Sequence, residues 1–111
     1  MHNSMSDRRN APRYPLILVA EVFEAMSGAK ITARTSDVSR TGCYLDTLNP
    51  LPRGTQITVK LQNGSESFET DAMVKYVSPG LGMGVAFAEG LAPYKLMMLE
   101  RWLANCAKVG V

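Results

Sequence analysis

The stretch Gln56–Val77, QITVKLQNGSESFETDAMVKYV, decides the fold class of this 111-residue chain. Its opening residues alternate between polar and apolar side chains, the pattern of a strand with one buried face. Asn63-Gly64 then gives a strong signal for a tight hairpin, and Phe68–Val77 returns as a second strand. The stretch therefore predicts two antiparallel strands joined by a short turn. The side chains expected to share a face are Ile57, Val59 and Leu61 in the first strand, and Phe68, Ala72, Val74 and Tyr76 in the second.

Four further segments have the same short, extended character. We predict strands at Pro15–Phe23, around Ile31–Thr35, around Cys43–Thr47 and at Met83–Phe87. The first of these is apolar on both sides, since Ile17 and Val19 lie opposite Leu18, which indicates burial on both faces or a place beside a covering element. Ser36–Gly42 is expected to be a polar loop. Six short strands with close turns and no intervening helix favour an antiparallel barrel or sandwich.

The segment 91–108 has the periodicity of a helix. Apolar residues recur at spacings of three and four, at Leu96, Leu99, Leu103 and Cys106. Pro93 suits the first turn of a helix, because an amide hydrogen would have no partner there. We expect this helix to cover one open end of the barrel. A helix that docks a partner or dimerises is the alternative, favoured by the adaptable side chains of Met97 and Met98.

The charges of the chain are unevenly placed. Twelve basic and ten acidic side chains give a formal charge of +2, and residues 1–13 account for all of it with three arginines against Asp7. Residues 14–111 hold nine basic and nine acidic side chains. We interpret residues 1–13 as a flexible arm, 14–90 as the barrel and 91–108 as the helix of one domain. A neutral body argues against a broadly basic nucleic-acid binder, so neither DNA nor RNA is an expected partner.

Catalysis and metal binding have little support in the sequence. The single histidine, His2, stands at the N-terminus, and the acidic residues fall singly on different predicted elements. Cys43 and Cys106 form no metal or disulfide motif, and we interpret them as reduced thiols of a cytoplasmic protein. Gly80-x-Gly82-x-Gly84 lacks the lysine of a phosphate loop and predicts a turn with close strand packing. No segment has the ~20 apolar residues of a membrane span. We therefore predict no enzyme activity, metal, cofactor or membrane insertion.

Two motifs remain, and they occur in a specific order. R-x-x-x-R stands at Arg9–Arg13 in the arm, and D-x-S-x-x-G at Asp37–Gly42 after the second predicted strand. A basic tail or an Asp/Ser/Gly turn is common when it occurs alone. Together, on a small β-domain closed by a helix, they make the chain resemble the PilZ domain family of bacterial receptors for cyclic di-GMP. The resemblance implies a mainly β fold, a six-stranded antiparallel β-barrel with a C-terminal helix, and an arm that becomes ordered with the ligand.

The resemblance also implies the ligand-binding residues. These are Arg8, Arg9, Arg13, Asp37, Ser39 and Gly42, with Arg40 and Tyr76 as further candidates. Arginine can fork onto a phosphate or onto guanine O6 and N7, and its plane can stack on a purine. The Asp37 carboxylate suits the N1 and N2 donors of guanine, and the Ser39 hydroxyl suits a phosphate or base. Gly42 permits an unusual backbone angle or a close approach. Tyr76 is either a stacking face or a core residue.

Arg8 bears on the stoichiometry. In the family that the chain resembles, an arginine directly before R-x-x-x-R tends to accompany two intercalated nucleotides, which predicts a stacked dimer of cyclic di-GMP. A charge that is solvated and binds nothing is the alternative for Arg8.

The expected partners are the ligand and a downstream protein that recognises the ordered arm. The chain itself is expected to be a monomer or weak homodimer. The alternative functions are a PilZ-like interaction module of pilus or flagellar machinery that binds no nucleotide, and a small RNA-binding barrel, which the few aromatic residues disfavour.

Overall fold

The computed structural model describes residues 11–109, with side chains as far as Cys106. Its elements in chain order are β1 (Val19–Glu24), β2 (Lys30–Val38), β3 (Gly42–Asp46), β4 (Gln56–Asn63), β5 (Glu66–Ser78), β6 (Gly82–Phe87) and α1 (Pro93–Val109). The strands form one closed barrel in the order β1-β2-β3-β6-β5-β4, and every neighbouring pair is antiparallel. The predicted six-stranded antiparallel barrel with a C-terminal helix is confirmed, and its closure decides between barrel and sandwich.

The β4–β5 hairpin has the register that the alternation predicts. Asn63 pairs with Glu66, so Gly64 and Ser65 form the connection. Gly64 has a φ of 62°, in the left-handed region where glycine is favoured over residues with a Cβ. The inward-facing side chains of this hairpin are at most 8% exposed, and they are Ile57, Val59, Leu61, Phe68, Thr70, Ala72 and Val74.

The first strand begins at Val19, four residues later than predicted, and it and the residues just before it are buried on one face only. Leu18, Ala20 and Val22 are buried, whereas Ile17 and Val19 are 63% and 58% exposed. In a closed barrel the outer face of a strand meets solvent unless another element covers it. The exposure of Ile17 and Val19 shows that no described element covers them. Burial of both faces is therefore wrong for this strand; of the alternative, its place in a barrel is confirmed, but its outer face is not covered at Ile17 and Val19.

The second strand is longer than predicted and runs to Val38, so the expected loop at Ser36–Gly42 is reduced to Ser39–Thr41. Its polar end is paired on both sides. Val38 pairs with β3, and it also exchanges backbone hydrogen bonds of 2.8 and 2.9 Å with Tyr14. Polar residues are compatible with a strand here because the outer face of the barrel meets water.

Helix α1 closes one end of the barrel. Leu99, Trp102 and Leu103 are at most 4% exposed, and the Trp102 ring packs edge-on against Phe68 with ring centroids 6.4 Å apart. This face of the helix agrees with the predicted covering role. Within residues 11–109, no helix is long and apolar enough to cross a membrane.

Glu66, at the start of β5, ties this helix to the barrel. Its two carboxylate oxygens accept hydrogen bonds from the Arg101 guanidinium at 3.0 and 2.7 Å. Oε1 also accepts one from the Trp102 indole N–H at 2.7 Å. The hydrogen bonds from Arg101, and after them the one from Trp102, lower the pKa of Glu66 from 4.5 to about 2. The charged carboxylate is therefore the form that the docked helix stabilises.

Replacing Glu66 with glutamine is expected to lower the melting temperature at neutral pH, with an effect that shrinks in acid. A carboxylate with a depressed folded pKa contributes stability that is fully present above its unfolded pKa of 4.5 and is lost as the pH falls through about 2. Thermal melts of both proteins between about pH 6.5 and pH 2.5, followed by Trp102 fluorescence, measure the difference. Glu89→Gln, at an exposed position, is the control. A difference that stays constant over this range contradicts the account.

Candidate functional site

Four neighbouring strands present one row of residues to the outside of the barrel, where the motif residues lie. Asp37 of β2 pairs with Tyr44 of β3, which pairs with Gly84 of β6. Tyr76 of β5 completes the row by pairing with Gly84. With strands about 4.8 Å apart, this row spans roughly 14 Å. A carboxylate stands at one end of the row and an aromatic ring at the other.

An irregularity in β2 turns Asp37 outward. The pairing register with β3 shifts between Thr35 and Asp37, so Ser36 is an extra residue in the strand. Thr35 and Val38 are both 0% exposed and face the interior, which strict alternation does not allow for residues three apart. Such β-bulges re-aim side chains and are common next to functional sites.

A second irregularity, in β5, turns Tyr76 outward. Ala72 and Val74 are at most 7% exposed, whereas Tyr76 is 44% exposed. The register with β6 shifts between Val74 and Tyr76, with Lys75 as the extra residue, so the period of two is broken there. The prediction that Tyr76 shares the buried face, and with it the alternative of a core residue, is therefore wrong.

Gly82 and Gly84 make room for two tyrosine rings on the sheet. A Cβ on Gly84 would overlap the Tyr76 ring, and one on Gly82 would lie 2.7 Å from Cε2 of Tyr44. The two ring centroids are 6.0 Å apart, with the planes inclined by 33°. Gly80 has a φ of 74° in the turn before β6. The interpretation of G-x-G-x-G as a turn followed by close strand packing is confirmed.

The segment before β1 is held so that Arg13 meets Asp37. Tyr14 is hydrogen-bonded to Val38, as described above, and the buried Thr35 hydroxyl hydrogen-bonds the backbone of the same segment at 2.7 and 2.8 Å. Arg13 Nη1 lies 3.6 Å from Asp37 Oδ1. That separation suits an ion pair but is too long for a hydrogen bond.

Asp37 has a buried oxygen that lacks a hydrogen bond from residues 11–109. This atom is Oδ1, the one that faces Arg13. A buried carboxylate oxygen normally has a donor, because leaving it unpaired costs about 1–3 kcal/mol. Burial, and after it the Asp37 carboxylate, raises the pKa of the Cys43 thiol beneath the site. Cys43 therefore stays a neutral thiol. The Asp37 carboxylate beside it keeps one oxygen whose capacity to accept a hydrogen bond is unused by the described residues.

The turn between β2 and β3 uses its own polar groups. Ser39 is 4% exposed, and its Oγ accepts a hydrogen bond of 3.1 Å from the Thr41 N–H. The Ser39 N–H donates to the Gly42 carbonyl at 2.8 Å. A Cβ on Gly42 would overlap the Val85 carbonyl oxygen of β6, and its φ is not positive. Ser39 thus holds the turn, and Gly42 is required for close approach and not for an unusual backbone angle.

A surface groove of about 580 Å³ lies beside this row. The small residues Gly42, Gly84 and Ala86 form its floor, between Arg13 on the β2 side and Tyr76 on the β5 side. The predicted residues that the structure brings to this groove or its edge are Arg13, Asp37, Ser39, Gly42 and Tyr76. The groove therefore combines cationic side chains with an aromatic face, and the Asp37 carboxylate lies next to it, 3.6 Å from Arg13.

Among the described residues, one predicted binding residue, Arg40, stands apart from this arrangement. The Arg40 guanidinium turns toward the helix, with Nη1 3.6 Å from Glu100 Oε2. Arg8 and Arg9 lie outside the described residues, so their binding role stays a prediction. The predicted arm is described only from residue 11 onward.

Lys75 and Tyr44 belong to this surface, although the sequence reasoning did not include them. Lys75 lines the groove, but the bulge that brings it there leaves no signal in an alternating sequence. Tyr44 packs near Tyr76. Its place two residues after the end of the D-x-S-x-x-G motif, in a predicted strand, could have identified it as a neighbour of the site.

Comparisons with known proteins give one family. A model of the PilZ domain matches residues 7–105 of the sequence. The chain is similar in structure to the PilZ domain with c-di-GMP of YcgR from Escherichia coli, with a TM-score of 0.76 and 17% identity over 93% of this chain and 94% of that one. None of the curated protein sequences matches the chain.

Two further solved structures share the fold. The PilZ domain of CeSA from a cellulose-synthesizing bacterium has a TM-score of 0.65 and 18% identity, over 86% of this chain and 97% of that one. The Bacillus subtilis inhibitor of motility MotI/DgrA has a TM-score of 0.71 and 17% identity, over 93% of this chain and 51% of that one. At these identities the likeness shows the fold alone.

Proposed function

The chain belongs to the PilZ domain family, and we propose that it is a receptor that binds cyclic di-GMP in the groove between Arg13 and Tyr76. The observation that carries this proposal is the buried Asp37 Oδ1, to which no donor within residues 11–109 is hydrogen-bonded. Guanine presents N1–H and N2–H donors along one edge, and a carboxylate can accept from both. The ligand would therefore supply the hydrogen bond that Asp37 lacks.

Arg13 supplies the complementary charge. Its side chain is half exposed and lies within ion-pair distance of Asp37. A guanidinium can fork onto a phosphate or onto guanine O6 and N7, and it can stack on a purine; an ammonium group offers neither the fork nor the flat face. We assign one edge of a guanine to Asp37 and a phosphate or the O6/N7 edge to Arg13.

Tyr76 supplies a stacking surface at the other side of the groove. Its ring lies over Gly84 and is 44% exposed. Stacking of a base on an aromatic side chain contributes about 1–3 kcal/mol. Ser39 and Gly42 act through the shape of the turn, since the Ser39 hydroxyl is already hydrogen-bonded within it. Arg40 joins the site only if it leaves Glu100.

The arm at residues 1–13 closes over the ligand in this proposal. Arg8 and Arg9 add charge-assisted contacts from the side away from the barrel. Ordering the arm costs conformational entropy, and the ligand contacts offset that cost, so a downstream protein meets a different surface in the bound state. The protein acts by binding, as a cytoplasmic monomer or weak homodimer, without cofactor, metal or catalysis.

A calorimetric titration of the full chain with cyclic di-GMP tests this function. We expect two ligands per chain, because four stacked guanines give Arg8 a surface to lie on. Arg8→Leu is expected to shift the stoichiometry from two toward one, whereas Arg53→Leu, at an exposed loop position, leaves it at two. One ligand per chain for the unaltered protein rejects the stacked dimer. An absence of binding rejects the receptor function and favours the interaction module.

A further inference from the structure

Lys75 lies across the groove from Arg13. It is the extra residue at the register shift in β5, between the buried Val74 and the outward-facing Tyr76. Both Lys75 and Arg13 line the groove, and β3 and β6 separate the strands beside them. Two cations therefore lie on opposite sides of the groove. The floor between them consists mainly of the small residues Gly42, Gly84 and Ala86.

The cations at this surface differ in their partners. Arg13 lies 3.6 Å from Asp37, and Arg40 lies the same distance from Glu100. Lys75 is exposed and forms no salt bridge with any of residues 11–109. It also lines the adjoining groove, whose acidic residues Asp71 and Glu89 are likewise without a salt bridge to it. Within the described part of the chain, Lys75 is thus the groove cation without a carboxylate partner.

The ligand proposed above carries two phosphates on opposite sides of its ring, so two separated positive charges match it better than one. The strands beside Arg13 and Lys75 are three strand spacings apart, roughly 14 Å, and both side chains are long enough to extend over the floor. An ammonium is a compact charge that binds phosphate oxygens without a fixed orientation. The Lys75 ammonium can therefore contact a phosphate on the β5 side of the groove, while the Arg13 guanidinium contacts one on the β2 side.

We propose that Lys75 is a phosphate-binding residue of this site, taking one phosphate of a cyclic dinucleotide while Arg13 takes the other. The proposal rests on the proposed function and adds Lys75 to Tyr76 as a second binding residue on β5, outside the two sequence motifs. The bulge is what makes it possible, because it brings Lys75 and Tyr76 together to the edge of one groove.

Lys75→Met removes the charge but keeps an unbranched side chain of similar length, whereas Lys75→Arg keeps the charge. We expect Lys75→Met to weaken cyclic di-GMP binding about tenfold, the effect of one charge-assisted hydrogen bond. When the salt is raised from about 50 to 300 mM, Lys75→Met is expected to lose less affinity than the unaltered protein does, because it has one fewer contact that salt can screen. Lys75→Arg stays within about threefold of the unaltered protein. Lys60→Met, on β4 and not part of the groove lining, changes neither quantity.

Two outcomes overturn this proposal in different ways. If Lys75→Met binds with unchanged affinity and salt dependence while Asp37→Ala loses binding, Lys75 is not a phosphate-binding residue and the receptor function stands. If the unaltered protein itself does not bind cyclic di-GMP, both the receptor function and the role of Lys75 fail. Equal melting temperatures of Lys75→Met and the unaltered protein show that a lost affinity is not a loss of fold.

Discussion

Replacing Asp37 with alanine is expected to lower the affinity for cyclic di-GMP by about 10- to 150-fold with little loss of stability. Loss of a charge-assisted hydrogen bond costs about 1.5–3 kcal/mol, and each 1.4 kcal/mol is tenfold in affinity. Stability has little to lose, because Oδ1 accepts no hydrogen bond from residues 11–109. An ion pair at 3.6 Å between partly exposed side chains contributes at most about 1 kcal/mol.

The matched control for this substitution is Asp46→Ala. Asp46 is paired with Arg34 on the outside of the barrel, at the other end of β3, so its loss is expected to leave binding unchanged. Arg9→Ala and Arg13→Ala are expected to weaken binding by the same amount as Asp37→Ala. Titrations of the four variants measure these affinities. Unchanged affinity in Arg9→Ala, Arg13→Ala and Asp37→Ala together rejects the assignment of the site.

Replacing Gly42 with alanine is expected to lower both stability and affinity. The added Cβ would overlap the Val85 carbonyl oxygen and lie 3.2 Å from the Cα of Ala86. Both are backbone atoms in the β3–β6 ladder, so the strands themselves must shift. We expect a loss of about 3 kcal/mol in the free energy of unfolding, as for other overpacked sites. The turn that holds Ser39 beside the groove moves with the strand, so binding weakens as well.

Gly28→Ala is the control for a glycine substitution without a clash. No atom lies within 4 Å of a Cβ added at Gly28, whose φ is 73°, so only the backbone strain remains. That strain costs about 1 kcal/mol, and binding is expected to be unaffected. Thermal or urea unfolding with a titration of each variant measures both quantities. A Gly42→Ala protein as stable as Gly28→Ala, with full affinity, contradicts the close-approach role of Gly42.

The barrel could be predicted because each of its signals is local. The alternation around Ile57 and Leu61 gives the face of β4, and Asn63-Gly64 gives the turn that sets the register with β5. Burial of both faces of β1 was a wrong prediction, because an apolar residue such as Val19 does not by itself show that another element covers it.

The geometry of the site could be predicted only in part. The motifs identify Arg13 and Asp37, which the structure places 3.6 Å apart. The two bulges at Ser36 and Lys75 could not be predicted, since an inserted residue leaves the residue types unchanged and only reverses which face each side chain occupies. For the same reason the side of the sheet on which Tyr76 lies had to come from the structure.

Contacts between distant elements also had to come from the structure. Glu66 and Arg101 are 35 residues apart and form a two-point ion pair, and Arg40 reaches Glu100 of the same helix. Neither pair has a characteristic sequence spacing, because it depends on how the helix is laid over the barrel end. The helix itself was predictable from its periodicity, but its polar anchors were not.

Backbone amide chemical shifts of the full chain, recorded by NMR during a titration with cyclic di-GMP, test the central claim most directly. The claim predicts that the amides of Ser39–Gly42, Lys75–Tyr76 and Gly84–Ala86 shift, while those of Thr32, near the other end of β2, and Lys60, on β4, do not. Shifts confined to the exposed helix face around Tyr94 and Met97, or no shifts at saturating ligand, would contradict it.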